Sequence, residues 1–258
     1  VSGCERSNGL GQPCFETPIQ CHTWPHALGF PIPIPHKNLA DLGGRPLIAW
    51  TIAAAKAAHG LDRVIVSTDD ERIAAAAEEH GAEVPFLRPA EFSGDNAPAR
   101  DVIAHALGKL STHDGEQYDA VAYLQPTSPF RTSAQLTEAI ALFTRERPDT
   151  LVSVTAVPHN MVPSSLMHPA GSSVPLMLQA PVGQKLRRQE KEKLFARNGP
   201  AILIVSAADA MARGRLYGER VVGFEMDRLS SLDIDDPIDL EIARHLLPLL
   251  QLPSGPSP

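Results

Sequence analysis

Two aspartates pose the chemical question. In Ser231-Leu232-Asp233-Ile234-Asp235-Asp236-Pro237, alternation puts Asp233 and Asp235 on the same side of an extended chain. Neighbouring carboxylates repel unless a cation or a proton intervenes. A hard divalent ion such as Mg²⁺, its shell completed by triphosphate oxygens, resolves that repulsion. A plainer role is equally open from the residues alone: Asp236-Pro237 reads as a helix start, where acids interact well with the dipole.

Three further segments have chemical potential. Leu124 to Arg131 (LQPTSPFR) follows a hydrophobic strand directly, and Pro126 and Pro129 stiffen the turn. Polar side chains and amides left at a strand end suit the edge of a base or a sugar; an ordinary strand-to-helix loop has the same composition. Arg187-Arg188-Gln189, with Phe195-Ala196-Arg197-Asn198-Gly199, offers guanidinium groups that pair two-pronged with an acidic substrate. Its plainer reading is a solvated basic stretch. Lys37-Asn38 precedes a helix, where a lysine meets phosphates as a point charge, a weak signal by itself.

The elements that must position these residues follow from periodicity. Helical spacing runs through Arg45–His59, Glu71–His80 (stopped by Gly81), Arg100–Leu110, Ser133–Phe143 with Ser133 as a cap, and Ile238–Leu247. Short β-branched or apolar runs predict strands at Leu61–Ser67, Val84–Leu87, Ala120–Leu124, Thr150–Val157, Ala201–Val205 and Val221–Met226. Alternating helix and strand argue for an α/β fold with a doubly wound, mostly parallel sheet. In such sheets ligands bind beyond the carboxyl ends of the strands.

The flanks differ. Residues 1–36 are rich in Gly, Pro, Cys and His, show neither period, and read as an irregular N-terminal segment. Residues 37–248 form the expected domain, with 158–198 as an inserted, projecting arm and 249–258 as a disordered tail. Cys4, Cys14 and Cys21 are an odd, clustered set, not a disulfide framework; with His22 and His26 nearby their spacing fits no common zinc finger.

Bulk properties narrow the function. The chain has 258 residues, 43% of them hydrophobic, and a formal net charge of -7. That charge argues against non-specific nucleic-acid binding, though a local basic cluster still holds an anion. No apolar run is long enough to span a membrane, and the start lacks a secretory signal, so a soluble, cytoplasmic protein is expected.

Taken in order, the segments resemble the acylneuraminate cytidylyltransferases. The matching pieces are Lys37-Asn38 with Gly44-Arg45-Pro46-Leu47-Ile48, Val64 to Asp70 (VIVSTDD), Leu87-Arg88-Pro89, LQPTSPFR, Ser153-Val154, Arg188-Gln189, Asn198-Gly199, and Ser231 to Asp235 (SLDID), across roughly residues 36–247. The resemblance implies a nucleotide-diphospho-sugar transferase-like fold whose arm pairs two subunits in a homodimer. It implies transfer of CMP from CTP to a nonulosonic acid such as sialic, legionaminic or pseudaminic acid, with loss of pyrophosphate. By position, Lys37 approaches the triphosphate, Asn38, Arg88 and Ala99 surround the nucleotide, and Gln125 orients the sugar. Arg188 and Asn198 meet the acceptor, and Asp233 and Asp235 hold Mg²⁺.

The chain departs from the family pattern at several places. Where the family has a first strand and a Gly/Ser-rich phosphate loop, this chain reads Phe30 to His36 (FPIPIPH), and neither is visible. Three readings stay open: residues 1–36 supply a divergent substitute, the chain start is altered, or the protein is a non-catalytic member. Ala99 stands where a serine is usual and Ile202 where a tyrosine is usual. Pro158 to Pro163 lacks the basic residue of some sialic acid enzymes. These differences leave room for another nonulosonic acid or for a phosphonate acceptor.

Overall fold

A computed structural model describes residues 15–20, 34–93, 97–115, 117–168, 177–178, 189, 191–208 and 216–250. Its centre is a seven-stranded sheet. The strands are β1 (Phe15–Gln20), β4 (Arg63–Ser67), β5 (Ala120–Tyr123), β6 (Thr150–Ala156), β9 (Phe195–Arg197), β10 (Leu203–Ser206) and β11 (Val221–Glu225). Two small ribbons lie apart from it: β2 (Asp41–Leu42) with β3 (Arg45–Pro46), and β7 (Met167–His168) with β8 (Met177–Leu178). The order across the main sheet is β11-β6-β10-β5-β1-β4, with β9 pairing the far end of β6. Strands β4, β1, β5, β6 and β11 point one way, while β10 and β9 run against them. The sheet is therefore mostly parallel, as the alternation of helix and strand predicts.

Helices cover both faces: α1 (Leu47–Lys56), α2 (Glu71–Glu79), α3 (Ala99–Asp114), α4 (Ser133–Glu146) and α5 (Pro237–Leu250). β5 shows how the alternation divides the core. Ala120, Ala122 and Leu124 pack with Ala55 of α1 and Leu136, Ala139 and Ile140 of α4. Val121 and Tyr123 point the other way, to Ile103 and Leu107 of α3. All four of β5's residues are buried, as a central strand requires. A separate cluster seats α5 through Leu240, Ala243 and Leu247 against Leu42, Leu47, Phe130 and Ile234.

Three local expectations need correction. Residues Val84–Leu87 form no strand; only Glu83 bridges to Ile65, because Pro85 cannot donate to a ladder. The cap of α4 is Thr132, not Ser133: Thr132 accepts from the Gln135 amide at 3.1 Å and Gln135 reaches back to the Thr132 amide at 3.0 Å. The third concerns the start of the chain. Phe15–Gln20 is a strand and occupies the slot between β4 and β5. Its Pro18 obscures it in the sequence, since proline is foreign to a strand with two neighbours. The ladder to β5 takes in Phe15 and Glu16, whereas Pro18 is in register with Ile65 of β4 alone. Cys4, Cys14, Cys21 and the stretch Phe30–Pro33 lie outside the described residues.

Candidate active site

The carboxyl ends of β1, β4 and β5 meet where strand order reverses around β1. β10 runs antiparallel, and Leu203 pairs with Tyr123, so the residues just before it arrive at the same end. Asn198 and Gly199 thereby come beside Gln125, although they are remote in sequence. The aspartate segment is fastened to the same turn: the Ile234 amide donates to the Thr127 carbonyl at 2.8 Å. Ile234 is fully buried in the α5 cluster.

Gly199 is the meeting point. A Cβ built on it would lie 3.5 Å from Asp233 Oδ2 and 3.6 Å from Gln125 Oε1. Its φ of 120° is a conformation that residues with a Cβ rarely adopt. Lys37 Nζ sits 3.1 Å from Asp235 Oδ1. Lys37 comes from a short 3-10 turn, Lys37–Leu39, entered through His36 in the left-handed region. The structure thus brings Lys37, Gln125, Gly199, Asp233 and Asp235 into one constellation.

The two readings of the aspartate segment separate cleanly. Asp236 does the helix capping: its Oδ1 accepts from the amides of Ile238 at 2.7 Å and Asp239 at 2.9 Å. Asp239 Oδ2 in turn accepts from the amides of Asp235 and Asp236. The carboxylates of Asp233 and Asp235 take no part in this and are left for other work. Asp233 Oδ1 is buried with no hydrogen-bond partner among the described residues. Burial pushes the Asp233 carboxyl above the usual range, and the negative charges of Asp235 and Asp239 add to the shift; a hydrogen bond from Thr127 and the charge of Lys37 oppose it. A buried, orphaned carboxylate oxygen beside a second acid is what a hard cation would satisfy. Among the described residues no group of three or more His, Cys, Asp and Glu forms a metal cage. A cation held here by two carboxylates would need oxygens from a phosphate substrate, the usual arrangement for Mg²⁺.

The remaining predicted residues fall in several places. Arg88 is buried at the end of β4; its amide donates to the Thr68 carbonyl at 2.8 Å and its guanidinium lies 3.4 Å from Asp69. Asn38 is buried beside Lys37, and Ala99 opens α3 against the cluster containing Tyr123. Asn198 accepts from Ser153 Oγ at 2.5 Å and donates to Ser231 Oγ at 2.9 Å, so it ties β6 to the aspartate segment. Ser153 Oγ also accepts from the Ile202 amide at 2.8 Å. Arg188 lies outside the described residues.

Two residues contribute more than their place in the sequence suggests. Thr127 carries the carbonyl that holds Ile234, and its hydroxyl donates to Gln125 Oε1 at 3.5 Å. Arg131, which reads only as the end of a motif, is fully buried at the back of the turn. Nothing in a linear pattern distinguishes a buried arginine from an exposed one. A third group, His105 of α3, is wedged edge-on to Phe86, with ring centroids 5.2 Å apart, and against Phe92 at 4.8 Å. Neither of its ring nitrogens has a partner among the described residues.

Comparison with known proteins gives this geometry a family. A cytidylyltransferase family model matches residues 33–252. The N-acylneuraminate cytidylyltransferase of Escherichia coli is 36% identical over 209 residues, 81% of this chain and 47% of that protein. The chain therefore spans about half the length of that relative. The CMP-N,N'-diacetyllegionaminic acid synthase of Legionella pneumophila is 31% identical over 219 residues, covering 84% of this chain and 92% of that one. Among solved structures, CMP:2-keto-3-deoxy-manno-octonic acid synthetase complexed with CTP superposes with a TM-score of 0.65 at 15% identity, over 92% of this chain and 98% of that one. At that identity the likeness concerns the fold alone.

Proposed function

Because this chain belongs to the cytidylyltransferase family, we propose that it transfers CMP from CTP to a nonulosonic acid, releasing pyrophosphate. The convergence of Lys37, Gln125 and the unpaired carboxylate of Asp233 around Gly199 carries this reading. The names of the relatives, which cover sialic, legionaminic and pseudaminic acids, support the acceptor class.

The anomeric hydroxyl of the acceptor attacks the α-phosphorus in line and gives up its proton to solvent. The bond to the bridging oxygen breaks as the new P–O bond forms, and pyrophosphate leaves. Catalysis is then positioning and charge neutralisation. Lys37 leaves Asp235 to meet the triphosphate. Asn38 and Arg88 border the nucleotide, with Ala99 on the far wall. Gln125 orients the acceptor beside the α-phosphate, and Asn198 keeps the aspartate segment in register. Asp233 and Asp235 would hold Mg²⁺, which when bound neutralises the triphosphate and the developing charge. The acceptor's carboxylate suits a guanidinium, the role assigned to Arg188.

β1 in the central slot favours a catalytic member over a non-catalytic one, since it supplies the strand from which a phosphate loop would spring. A homodimer formed through the arm is part of the same reading. It is supported by large apolar side chains left exposed there: Met161 at 58%, Leu166 at 41% and Phe195 at 44%. Among the described residues no helix is long and apolar enough to cross a membrane, consistent with work on cytoplasmic CTP.

The test is pyrophosphate release from CTP and Mg²⁺ with a panel of nonulosonic acids and phosphonates. Release with a nonulosonic acid, lost in Asp235→Ala, is expected. Release with a phosphonate alone would change the acceptor class. Silence across the panel from folded protein that also fails to bind CTP in a calorimeter would sink the proposal.

A further inference from the structure

Arg131 is a charged side chain with nothing charged to meet. It is 3% exposed, and among the described residues no carboxylate lies within ion-pair reach. Burial pushes its pKa down to about 9, which still leaves it protonated at neutral pH. A buried cation normally needs an anionic partner or very good hydrogen bonds. Here the two terminal nitrogens bond neutral groups from three separate pieces of chain, while Nε is buried without a hydrogen-bond partner among the described residues. Nη1 donates to the Gln125 carbonyl at 3.4 Å and to the Ala201 carbonyl, and Nη2 donates to Thr51 Oγ1 at 2.8 Å. Thr51, on the buried face of α1, passes its own proton to the Gln125 carbonyl at 3.4 Å.

Two of those pieces end at the site. The Gln125 carbonyl belongs to the residue whose side chain reaches Gly199 and neighbours Asp233. Ala201 follows Gly199-Pro200 immediately. Arg131 and Thr51 therefore clamp, from behind, both walls between which Gln125 Oε1 and Asp233 Oδ2 approach Gly199. A guanidinium reaches acceptors in several directions from one rigid plane.

We propose that Arg131, with Thr51 as its relay, is a positioning residue that fixes the spacing of Gln125 and the Gly199 turn, and so controls turnover without touching substrate. Where turnover is the readout, this rests on the cytidylyltransferase reading. A misplacement of reacting groups by a fraction of an ångström slows chemistry while leaving binding largely alone.

The experiment uses a near-isosteric pair, Thr51→Val and Thr51→Ser, beside Arg131→Lys. Thr51→Val keeps shape and loses the hydroxyl; Thr51→Ser keeps the hydroxyl. For Thr51→Val, kcat should fall about 10-fold, with the KM for CTP within about 2-fold of wild type, and Thr51→Ser should restore kcat. Arg131→Lys, a point donor, should fall further if it folds. Equal behaviour of the Val and Ser variants, or a loss confined to KM, would overturn the proposal. Hydrogen exchange reads the same clamp without an acceptor. In Thr51→Val the amides of Ile202 and Ile234 should exchange about 10-fold faster than in Thr51→Ser, with α2 unchanged, the mark of a local opening. Unchanged protection there would overturn the clamp even if the enzyme is active. A wild type that is inactive across the panel and fails to bind CTP, with the expected exchange pattern, would sink the cytidylyltransferase reading and leave the clamp standing.

Discussion

Half-buried Asp233, on the segment fastened to the Gln125 turn, and buried Arg131, on the turn itself, are both ionisable groups without an oppositely charged partner in contact. They solve the problem of burial in opposite ways. Arg131 turns inward and spends both terminal nitrogens on backbone carbonyls and a hydroxyl, leaving only Nε unmet among the described residues, so it stiffens the protein. Asp233 keeps Oδ1 unspent among the described residues. The first arrangement serves the scaffold. The second stores an unmet demand that only a ligand can meet, and the protein carries its cost until then. Position in the motif does not separate the two roles; the destination of the hydrogen bonds does.

The comparison breaks most visibly in activity. Asp233→Ala and Asp235→Ala should each lower pyrophosphate release by about 100-fold or more, with little loss of thermal stability, because neither carboxylate supports the fold. If either variant melts far below wild type while its residual turnover is normal, the carboxylates are structural and the contrast fails.

Next comes stability. Arg131→Met removes the buried charge but takes the guanidinium from the Ala201 carbonyl, worth about 1–3 kcal/mol if left unsatisfied, and leaves the Gln125 carbonyl to Thr51. Urea melts should show a net loss of about 1–3 kcal/mol. A neutral result would mean that the guanidinium's desolvation cancels its bonds, and that the clamp contributes no stability.

Asp233→Asn should move stability the other way. The folded-state pKa of Asp233 is raised, so above the ordinary carboxylate range the native state holds protons that the unfolded chain has released. Stability from this group therefore falls as pH rises through that window and stays low at neutral pH. The amide carries no charge to bury. Without metal at pH 7, the variant should be about 1 kcal/mol more stable than wild type and inactive. Calorimetric melts across pH 4–8 check both the gain and its pH dependence.

The smallest effect extends the contrast to a group that stays neutral. Burial first, then the charges of Lys109 and Arg88, push the His105 pKa below 6.5, with Glu91 opposing. Unfolded chains then take up the proton first, so stability from this position is complete above about 6.5 and is lost as pH falls below it. His105→Phe fits the aromatic niche of Phe86 and Phe92 and should flatten the acid side of the stability curve by a few tenths of a kcal/mol to about 1 kcal/mol. An unchanged acid limb would show that His105 titrates freely.

Much of the fold is legible in the sequence, because α1 to α5 and most strands carry clean periodicity. β5 reads as a strand since all of its residues are apolar and short-range punctuation brackets them. β1 does not, because Phe15-Glu16-Thr17-Pro18-Ile19-Gln20 has neither a continuous apolar run nor a proline-free core. What makes it a strand is its neighbours, a tertiary fact. The site is legible in part for the same kind of reason. Asp233, Asp235, Gln125 and Lys37 stand in recognisable motifs. The division of labour between Asp236 as a cap and its two neighbours shows only in hydrogen bonds, and the burial of Arg131 only in packing.

The place of β1 also has a bearing on how the protein is made. A ribosome delivers this strand first, yet both of its neighbours, β4 and β5, are delivered later. Phe15–Gln20 must wait for Arg63–Ser67 to cover one edge and for Ala120 to emerge before the other is covered. The nascent chain is exposed to mispairing for that interval. A chaperone that shields the first stretch of the chain would have its clearest task in that period.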